Sequence, residues 1–253
     1  MNIRTIAAIA LAVTTMSALA TNAHAAEIKV LVSNAARSVL EELGPQFEKA
    51  SGNKVVLVYG TTVDLKAEIE KGGAFDVTVL STSGIDDLIK QGKIAAGTQH
   101  SLARSGAGVA VKRGAPKPDI STTEAFKRAM LNAKSIGYVD GTPTGNYIKA
   151  LFPRLGIADQ LKPKIKFIDS KVGAGGAAGA GEVEIGLTQV SEILSKPDAE
   201  LVGPLPEEIQ VYTDFASGVG ANSKQAAAAG ALIKFMSTPE SARVIKEKGM
   251  VPR

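Results

Sequence analysis

Small hydroxyl residues follow three predicted strands of this sequence, in each case where a helix is predicted to begin. The three junctions are Ser33-Asn34, Thr61-Thr62 and Thr142-Pro143-Thr144-Gly145. Open α/β sheets bind ligands at the carboxyl ends of their strands, and the unpaired N–H groups of a helix start favour an anion there. Serine and threonine also cap helices without binding any ligand. Three such junctions in one chain nevertheless favour an anion-binding cleft over capping alone.

A glycine-rich run and several acidic pairs could suggest phosphate binding or acid/base catalysis, but a structural role explains each of them better. The glycine-rich run 173–181 lacks the Lys-Ser/Thr pair of a phosphate loop, and it is too short to contain both a loop and a crossover helix. We therefore expect a short Gly/Ala helix packed close to the sheet. Acidic pairs such as Glu41-Glu42 are typical of solvated surface, because nothing in the sequence places two carboxylates across a cleft. No catalytic residue is predicted.

Composition excludes several classes of protein. The chain has 253 residues, a formal net charge of +4, no cysteine, no tryptophan and two histidines. Without cysteine there is no disulfide framework, zinc finger, iron–sulfur cluster or cysteine nucleophile. The small net charge and an aromatic content of 4% do not favour nucleic-acid binding. We expect neither a metal nor a cofactor, and no nucleic-acid partner.

The N-terminal residues have the pattern of a secretory signal peptide. Arg4 supplies a positive charge, residues 6–20 are mostly apolar, and Ala23-His24-Ala25 matches the small-x-small cleavage pattern. We predict a signal peptide over residues 1–25, a mature chain that begins at Ala26, and export to the periplasm. An N-terminal membrane anchor is the alternative, although the apolar run is shorter than the ~20 residues that a bilayer requires.

Strands and helices alternate along the rest of the chain, which predicts βαβ units and a parallel sheet. The pattern changes near residue 105, where a glycine-punctuated apolar strand precedes a proline-containing linker and a new βα unit. We predict two α/β lobes joined by two extended crossings, near residues 104–111 and 205–217. Lobe I comprises residues 26–104 plus 212–253, and lobe II comprises residues 105–211. A single continuous α/β sheet is the alternative.

Four segments resemble the periplasmic solute-binding proteins of ABC importers, in their molybdate-binding branch. They are IKVLVSNA (28–35), VYGTTVDLKAEIEKGGAFDVTVLS (58–81), GTPTGNY (141–147) and GEVEIGLTQVSEI (181–193). The resemblance implies a two-lobe periplasmic binding protein fold of type II, with two hinge-crossing strands and the ligand between the lobes. It also implies capture of a small anion and its delivery to a membrane permease. We expect the ligand to be an oxyanion or an organic polycarboxylate, and the protein to be a monomer.

The resemblance also implies which residues bind the ligand, since that family holds tetrahedral oxyanions with hydroxyls and backbone N–H groups. Thr62 falls where the family has a binding serine, Thr144 falls where a backbone N–H contacts the anion, and Lys171 or Val172 falls near another backbone donor. The full predicted set is Ser33, Asn34, Thr61, Thr62, Thr144, Gly145, Lys171, Val172 and Gln189. Two positions depart from the pattern, because Ala35 replaces a serine and Gln189 replaces a tyrosine. We therefore predict that molybdate is not the preferred ligand.

A second resemblance, carried by segments 114–122, 186–194 and 202–210, is to periplasmic aconitate isomerases, which are enzymes on a solute-binding fold. It implies a cofactor-free proton shift on a tricarboxylate, which needs a base; Arg37, Lys171 and Gln189 are the nearest candidates for its polar groups, and none is an evident base. The prediction is a binding protein for an ABC importer. The isomerase is the alternative, and a sensory partner of a membrane receptor is a third, weaker one.

Overall fold

The computed structural model describes residues 25–253. The predicted signal peptide, residues 1–25, lies outside the described residues except for Ala25. Within residues 25–253, no helix is both long enough and apolar enough to cross a membrane.

Three parallel strands form the centre of the first lobe, each followed by a helix. They are β1 (Glu27–Ser33), β2 (Lys54–Gly60) and β3 (Val77–Ser81), and the helices are α1 (Arg37–Ser51), α2 (Thr62–Glu70) and α3 (Thr82–Lys90). A 3-10 turn, Asn34–Ala36, links β1 to α1. β1 pairs with both neighbours, and Ser33 lies opposite Gly60. The first two hydroxyl-bearing junctions therefore lie at the same edge of the sheet.

Two long strands connect the lobes. The strand β4 (His100–Lys112) pairs antiparallel along its first half with β9 (Tyr212–Val219), which in turn pairs with β3. The second half of β4 pairs with strands of the second lobe. The order β2-β1-β3-β9-β4 places the returning strand inside the first lobe's sheet. The predicted two-lobe fold with two crossing strands is thus confirmed, and the lobe boundaries at residues 104/105 and 211/212 stay a prediction.

The second lobe repeats the strand–helix alternation. Its strands are β5 (Ile136–Tyr138), β6 (Ile165–Phe167), β7 (Ile185–Gln189) and β8 (Ala199–Pro204), and its helices are α4 (Thr123–Asn132), α5 (Pro143–Arg154), α6 (Ala158–Leu161), α7 (Ala174–Ala180) and α8 (Val190–Leu194). β5 runs parallel to both β6 and β7. The carboxyl ends of β5 and β7 therefore lie at the same edge of the second lobe's sheet.

The glycine-rich run forms the short helix α7, as the sequence predicts. A Cβ atom added to Gly186 of β7 would lie 2.3 Å from the carbonyl oxygen of Ala174. The helix therefore rests on the sheet at a distance that only glycine permits.

Each lobe has its own hydrophobic core. One cluster of the first lobe joins Val30 and Leu40 to Leu232 and Met236 of helix α9 (Ala226–Met236). With α10 (Pro239–Glu247) and β10 (Val251–Pro252), which pairs with β4, the C-terminal segment packs on the first lobe. The main cluster of the second lobe centres on Phe126, Ile148 and Leu187. The two separate cores leave the space between the lobes for polar side chains.

The observed elements differ from the sequence prediction mainly in the length of β4 and in several very short elements. β4 begins at His100, four residues before the predicted crossing at residues 104–111, because it continues along β9. The short elements α6, α8 and β10 were not predicted, since segments of two to five residues carry too little hydrophobic periodicity to be recognised.

Candidate functional site: a polar cavity between the lobes

A cavity of about 40 Å³ lies between the lobes, at the carboxyl ends of β1, β2, β5 and β7. Six predicted ligand residues line it: Ser33, Asn34, Thr61, Thr62, Thr144 and Gln189. Nine residues that were not assigned to the site join them: Val139, Thr142, Pro143, Ser170, Gly173, Thr188, Glu192, Thr213 and Phe215. The three strand-to-helix junctions therefore converge on one space, as their positions in the sequence predict.

The junction after β2 presents one hydroxyl to the cavity and uses the other to build the helix start. Thr61 accepts a hydrogen bond from the N–H of Asp64 (3.1 Å) and donates its own hydroxyl hydrogen to the Asp64 carboxylate (2.7 Å). Thr62 accepts from the N–H of Ser81 (3.1 Å), which leaves its hydroxyl hydrogen available to a ligand. Asp64 itself is exposed and does not line the cavity, so it does not repel an anion there.

At the junction after β5, likewise, one of the two threonines that line the cavity caps the helix. Thr142 caps α5 by accepting from the N–H of Gly145 (3.1 Å), and it donates to the carbonyl of Val139 (2.9 Å). Because Pro143 has no N–H, the first backbone donor of the helix is that of Thr144. Gly145, which was predicted to contact the ligand, does not line the cavity and instead lets α5 start close to Val139.

Gln189 lies at the end of β7 and is 5% exposed. Its amide nitrogen donates to the hydroxyl oxygens of Thr144 and, over 2.8 Å, Thr213. Its amide oxygen has no hydrogen-bond partner among the described residues. Threonine hydroxyls can donate as well as accept, so the amide can also be flipped. In the flipped orientation the amide oxygen accepts from the two threonines, and the NH₂ group is left without a partner in residues 25–253. In either orientation one buried amide atom is left for a ligand.

Glu192 is the residue that sequence reasoning missed. It lies in the first turn of α8, and its carboxylate accepts a hydrogen bond from Thr188, the residue before Gln189. Burial raises the pKa of Glu192, while the Thr188 hydroxyl and the charge of Lys196 act in the opposite direction. A carboxyl group with a raised pKa in a ligand cleft is typical of a functional site.

The raised pKa predicts that Glu192→Gln changes how stability depends on pH. Below the ordinary pKa of about 4.5 the carboxyl is protonated in both the folded and the unfolded chain. As the pH rises through the interval up to the folded-state pKa, only the unfolded chain gains from ionisation, so wild-type unfolding free energy falls. The variant lacks this loss, and its stability relative to wild type should increase from pH 4 to pH 8 in urea titrations.

Glu182→Gln is the matched control for that prediction, because Glu182 is exposed and lies ten residues earlier in the same lobe. Its stability relative to wild type should not change over the same pH range. Parallel pH profiles for wild type and Glu192→Gln would show that Glu192 ionises normally.

Lys171 and Val172 do not line the main cavity. They line a second cavity of about 30 Å³, whereas their neighbours Ser170 and Gly173 line the main one. The N–H of Lys171 bonds to the Asp169 carboxylate (2.8 Å), and the N–H of Val172 bonds to the Asp169 carbonyl (3.1 Å). Both backbone donors are engaged within this turn, so in this arrangement neither donates to a ligand in the main cavity.

Among the described residues, no group of three or more His, Asp and Glu side chains is placed to hold a metal ion. The residues that line the main cavity can donate hydrogen bonds from hydroxyls and amides, and one carboxyl group, that of Glu192, lies beside them.

Known proteins resemble this chain over nearly its whole length. An aconitate isomerase from Pseudomonas sp. is 29% identical over 231 residues, which cover 89% of this chain and 87% of the relative. The molybdate-binding protein ModA of Escherichia coli is 24% identical over 240 residues, 92% of each chain. The periplasmic molybdate-binding protein of Azotobacter vinelandii has the same fold, with a TM-score of 0.76 at 21% identity over 88% of this chain and 98% of that one.

Residues 28–251 match the family described as bacterial extracellular solute-binding protein. The match spans both lobes and every residue of the cavity. Together with the two-lobe fold, it places the chain in that family: this protein is a member of the bacterial extracellular solute-binding proteins.

Proposed function

We propose that this protein captures a small organic carboxylate between its lobes and delivers it to the permease of an ABC importer. Hydroxyl and amide donors from both lobes surround the cavity, as anion capture by lobe closure requires. The family assignment supports the general role of a solute-binding protein.

The observation that carries the choice of ligand is the mixed lining of the cavity. Beside the hydroxyls lie the apolar side chains of Val139, Pro143 and Phe215. A tetrahedral metal oxyanion presents oxygen atoms in every direction and gains nothing from an apolar wall. A carboxylic acid places its charged group against the donors and its carbon skeleton against the apolar wall.

The acceptor atoms of the cavity also disfavour molybdate. Molybdate concentrates two negative charges in one tetrahedral group, and Glu192 adds a carboxyl group to the wall around it. Ala35, at a position where the molybdate-binding pattern has a serine hydroxyl, is 1% exposed and offers no side-chain donor. A carboxylate carries one negative charge per group, so the Glu192 carboxyl disfavours it less than it disfavours molybdate.

A thermal-shift panel tests this proposal with the purified mature chain. A ligand at 100 times its Kd stabilises the folded state by about 2.7 kcal/mol, so a specific ligand stands out from the rest. Tricarballylate, citrate or another small polycarboxylate should raise the melting temperature, while molybdate and sulfate at the same concentration should not. A shift with molybdate alone would overturn the choice of ligand.

The proposed location is the periplasm, after cleavage between Ala25 and Ala26, and the proposed state is a monomer. Mass spectrometry of the exported chain tests the cleavage, and an intact Met1 in the periplasmic fraction would contradict it.

The position of Glu192 favours a second candidate function, a cofactor-free isomerase that interconverts cis- and trans-aconitate. The aconitate isomerase from Pseudomonas sp. is a relative of this chain over most of its length. Glu192 supplies the acid/base group that the sequence alone did not reveal. A carboxylate with a raised pKa is a stronger base than a solvated one.

The reaction balances with one base. Ionised Glu192 takes a proton from the methylene carbon of the substrate, and the electron pair delocalises over the double bond and the adjacent carboxylates. The hydroxyl and amide donors around the cavity stabilise that charge. The protonated Glu192 then returns the proton to the former vinylic carbon, which moves the double bond and restores the carboxylate.

Chromatography of either aconitate isomer incubated with purified protein in D₂O tests this candidate. An isomerase forms the other isomer, with deuterium at carbon in those turnovers in which protonated Glu192 exchanges with the solvent before it returns the proton. Glu192→Gln abolishes turnover, while the control Glu182→Gln retains it. Absence of turnover in the wild type rejects the enzyme and leaves the binding protein untouched.

A further inference from the structure

A second, positively lined cavity adjoins the main one. The two cavities share Asn34, Gly173 and Glu192 in their walls, so they are neighbouring compartments of one cleft. Among the described residues, no lysine or arginine lines the main cavity, whereas three cationic side chains line the second: Arg37, Lys171 and Lys196. The cleft therefore changes from neutral donors at one end to cations at the other.

The cations come from both lobes, and Arg37 is held in place by its neighbours. The guanidinium of Arg37, in the first lobe, lies 4.2 Å from the ring centroid of Tyr59 and donates through Nε to Glu41 (3.0 Å). Lys196, in the second lobe, runs along α7 past Gly176. Its Nζ lies about 4.0 Å from the position that a Cβ atom of residue 176 would occupy. All three charges line the same compartment in this structure.

The sizes of the compartments match a ligand with two ends. A site for one ordered water needs roughly 10–15 Å³, so about 40 Å³ and about 30 Å³ each hold only a group of a few heavy atoms. A single carboxylate fits in the neutral compartment. A second charged group joined to it by a short carbon chain reaches the cationic one.

We infer that the second cavity is an anion subsite, so that the ligand is a di- or tricarboxylate with one carboxylate in the neutral compartment and another between Arg37, Lys171 and Lys196. This inference rests on the proposed capture of a carboxylate and adds to it the number and placement of the charged groups. Lys171 and Lys196 are specificity residues for the second group. Glu192 stands between the two compartments and separates the two negative groups.

Calorimetry with butyrate, glutarate and tricarballylate tests the inference without any variant. The wild-type protein should bind glutarate and tricarballylate at least about tenfold more tightly than butyrate, a difference of about 1.4 kcal/mol. Equal affinities for butyrate and glutarate overturn the second subsite but leave carboxylate capture intact. Failure of all three to bind overturns both.

The double variant Lys171→Gln/Lys196→Gln assigns the effect to the cationic compartment. Its affinity for glutarate and tricarballylate should fall about tenfold or more, and its affinity for butyrate should change less than about twofold. Lys134→Gln is the matched control, because it removes a charge from an exposed lysine of the same lobe before β5, at the end of that strand opposite the cavity. An equal loss of affinity for butyrate and glutarate in the double variant contradicts the assignment, as does no loss for either.

Discussion

Replacing Gln189 by leucine is expected to weaken carboxylate binding by about 10- to 150-fold. The buried amide of Gln189 holds the hydroxyls of Thr144 and Thr213 and leaves one amide atom for the ligand. A hydrogen bond to a charged group contributes about 1.5–3 kcal/mol, and leucine also leaves the two hydroxyls without their partner. Calorimetric titration with tricarballylate measures the loss.

Gln99→Leu is the control for this prediction, since Gln99 bonds to Asp86 on the surface of the first lobe. Its affinity for tricarballylate should equal that of the wild type. If Gln189→Leu binds within twofold of the wild type, Gln189 does not contact the ligand and the cavity has been assigned to the wrong residues.

Gly145→Ala is expected to lower the unfolding free energy by about 1–3 kcal/mol and to impair binding at the same time. A Cβ atom at position 145 would lie 1.9 Å from the carbonyl oxygen of Val139 and 3.0 Å from the Thr142 hydroxyl. The start of α5 has to move away from β5 to accept it, which carries Thr144 out of the cavity wall. Overpacking of this kind has the stated magnitude, and urea unfolding measures it.

Gly230→Ala provides the opposite control within the same chain. Gly230 is exposed in α9, and within residues 25–253 no atom beyond its neighbours in its own helix lies within 4 Å of its added Cβ. Alanine should stabilise the protein here by about 0.5–1 kcal/mol, because glycine lowers helix stability. A Gly145→Ala protein as stable as wild type would show that α5 can shift freely, which excludes a rigid role for this junction.

The fold could be predicted because its signals are local. Hydrophobic periodicity marks helices such as α1 and α4, and the change at residue 105 marks the first crossing. The junctions at Ser33, Thr62 and Thr144 could be predicted for the same reason, since strand ends and helix starts are read from neighbouring residues.

The rest of the site depends on contacts between distant parts of the chain. Thr213 and Phe215 reach the cavity on the returning strand β9, more than 20 residues after Gln189, and the sequence marks that strand only as a connection. Glu192 resembles a surface residue because α8 is a single short turn. Its partial burial depends on elements packed around it in the fold, and the spacing of residues along the chain does not reveal those contacts.

At Lys171 and Val172 the family resemblance could not assign the backbone donors to individual residues. The turn from Asp169 to Gly173 engages their N–H groups, and this depends on the Asp169 side chain as well as on the backbone. A glycine-rich segment aligns equally well with a shift of one residue, so the resemblance could not decide which residue faces the main cavity.

We propose that an organic carboxylate, and not molybdate, occupies the cavity between the lobes. Calorimetric titration of the purified mature chain with tricarballylate and with molybdate, in the same buffer, distinguishes the two ligands. We expect saturable one-to-one binding of tricarballylate that is lost in Gln189→Leu, and no measurable heat with molybdate. Tight one-to-one binding of molybdate, with no response to tricarballylate, would contradict it.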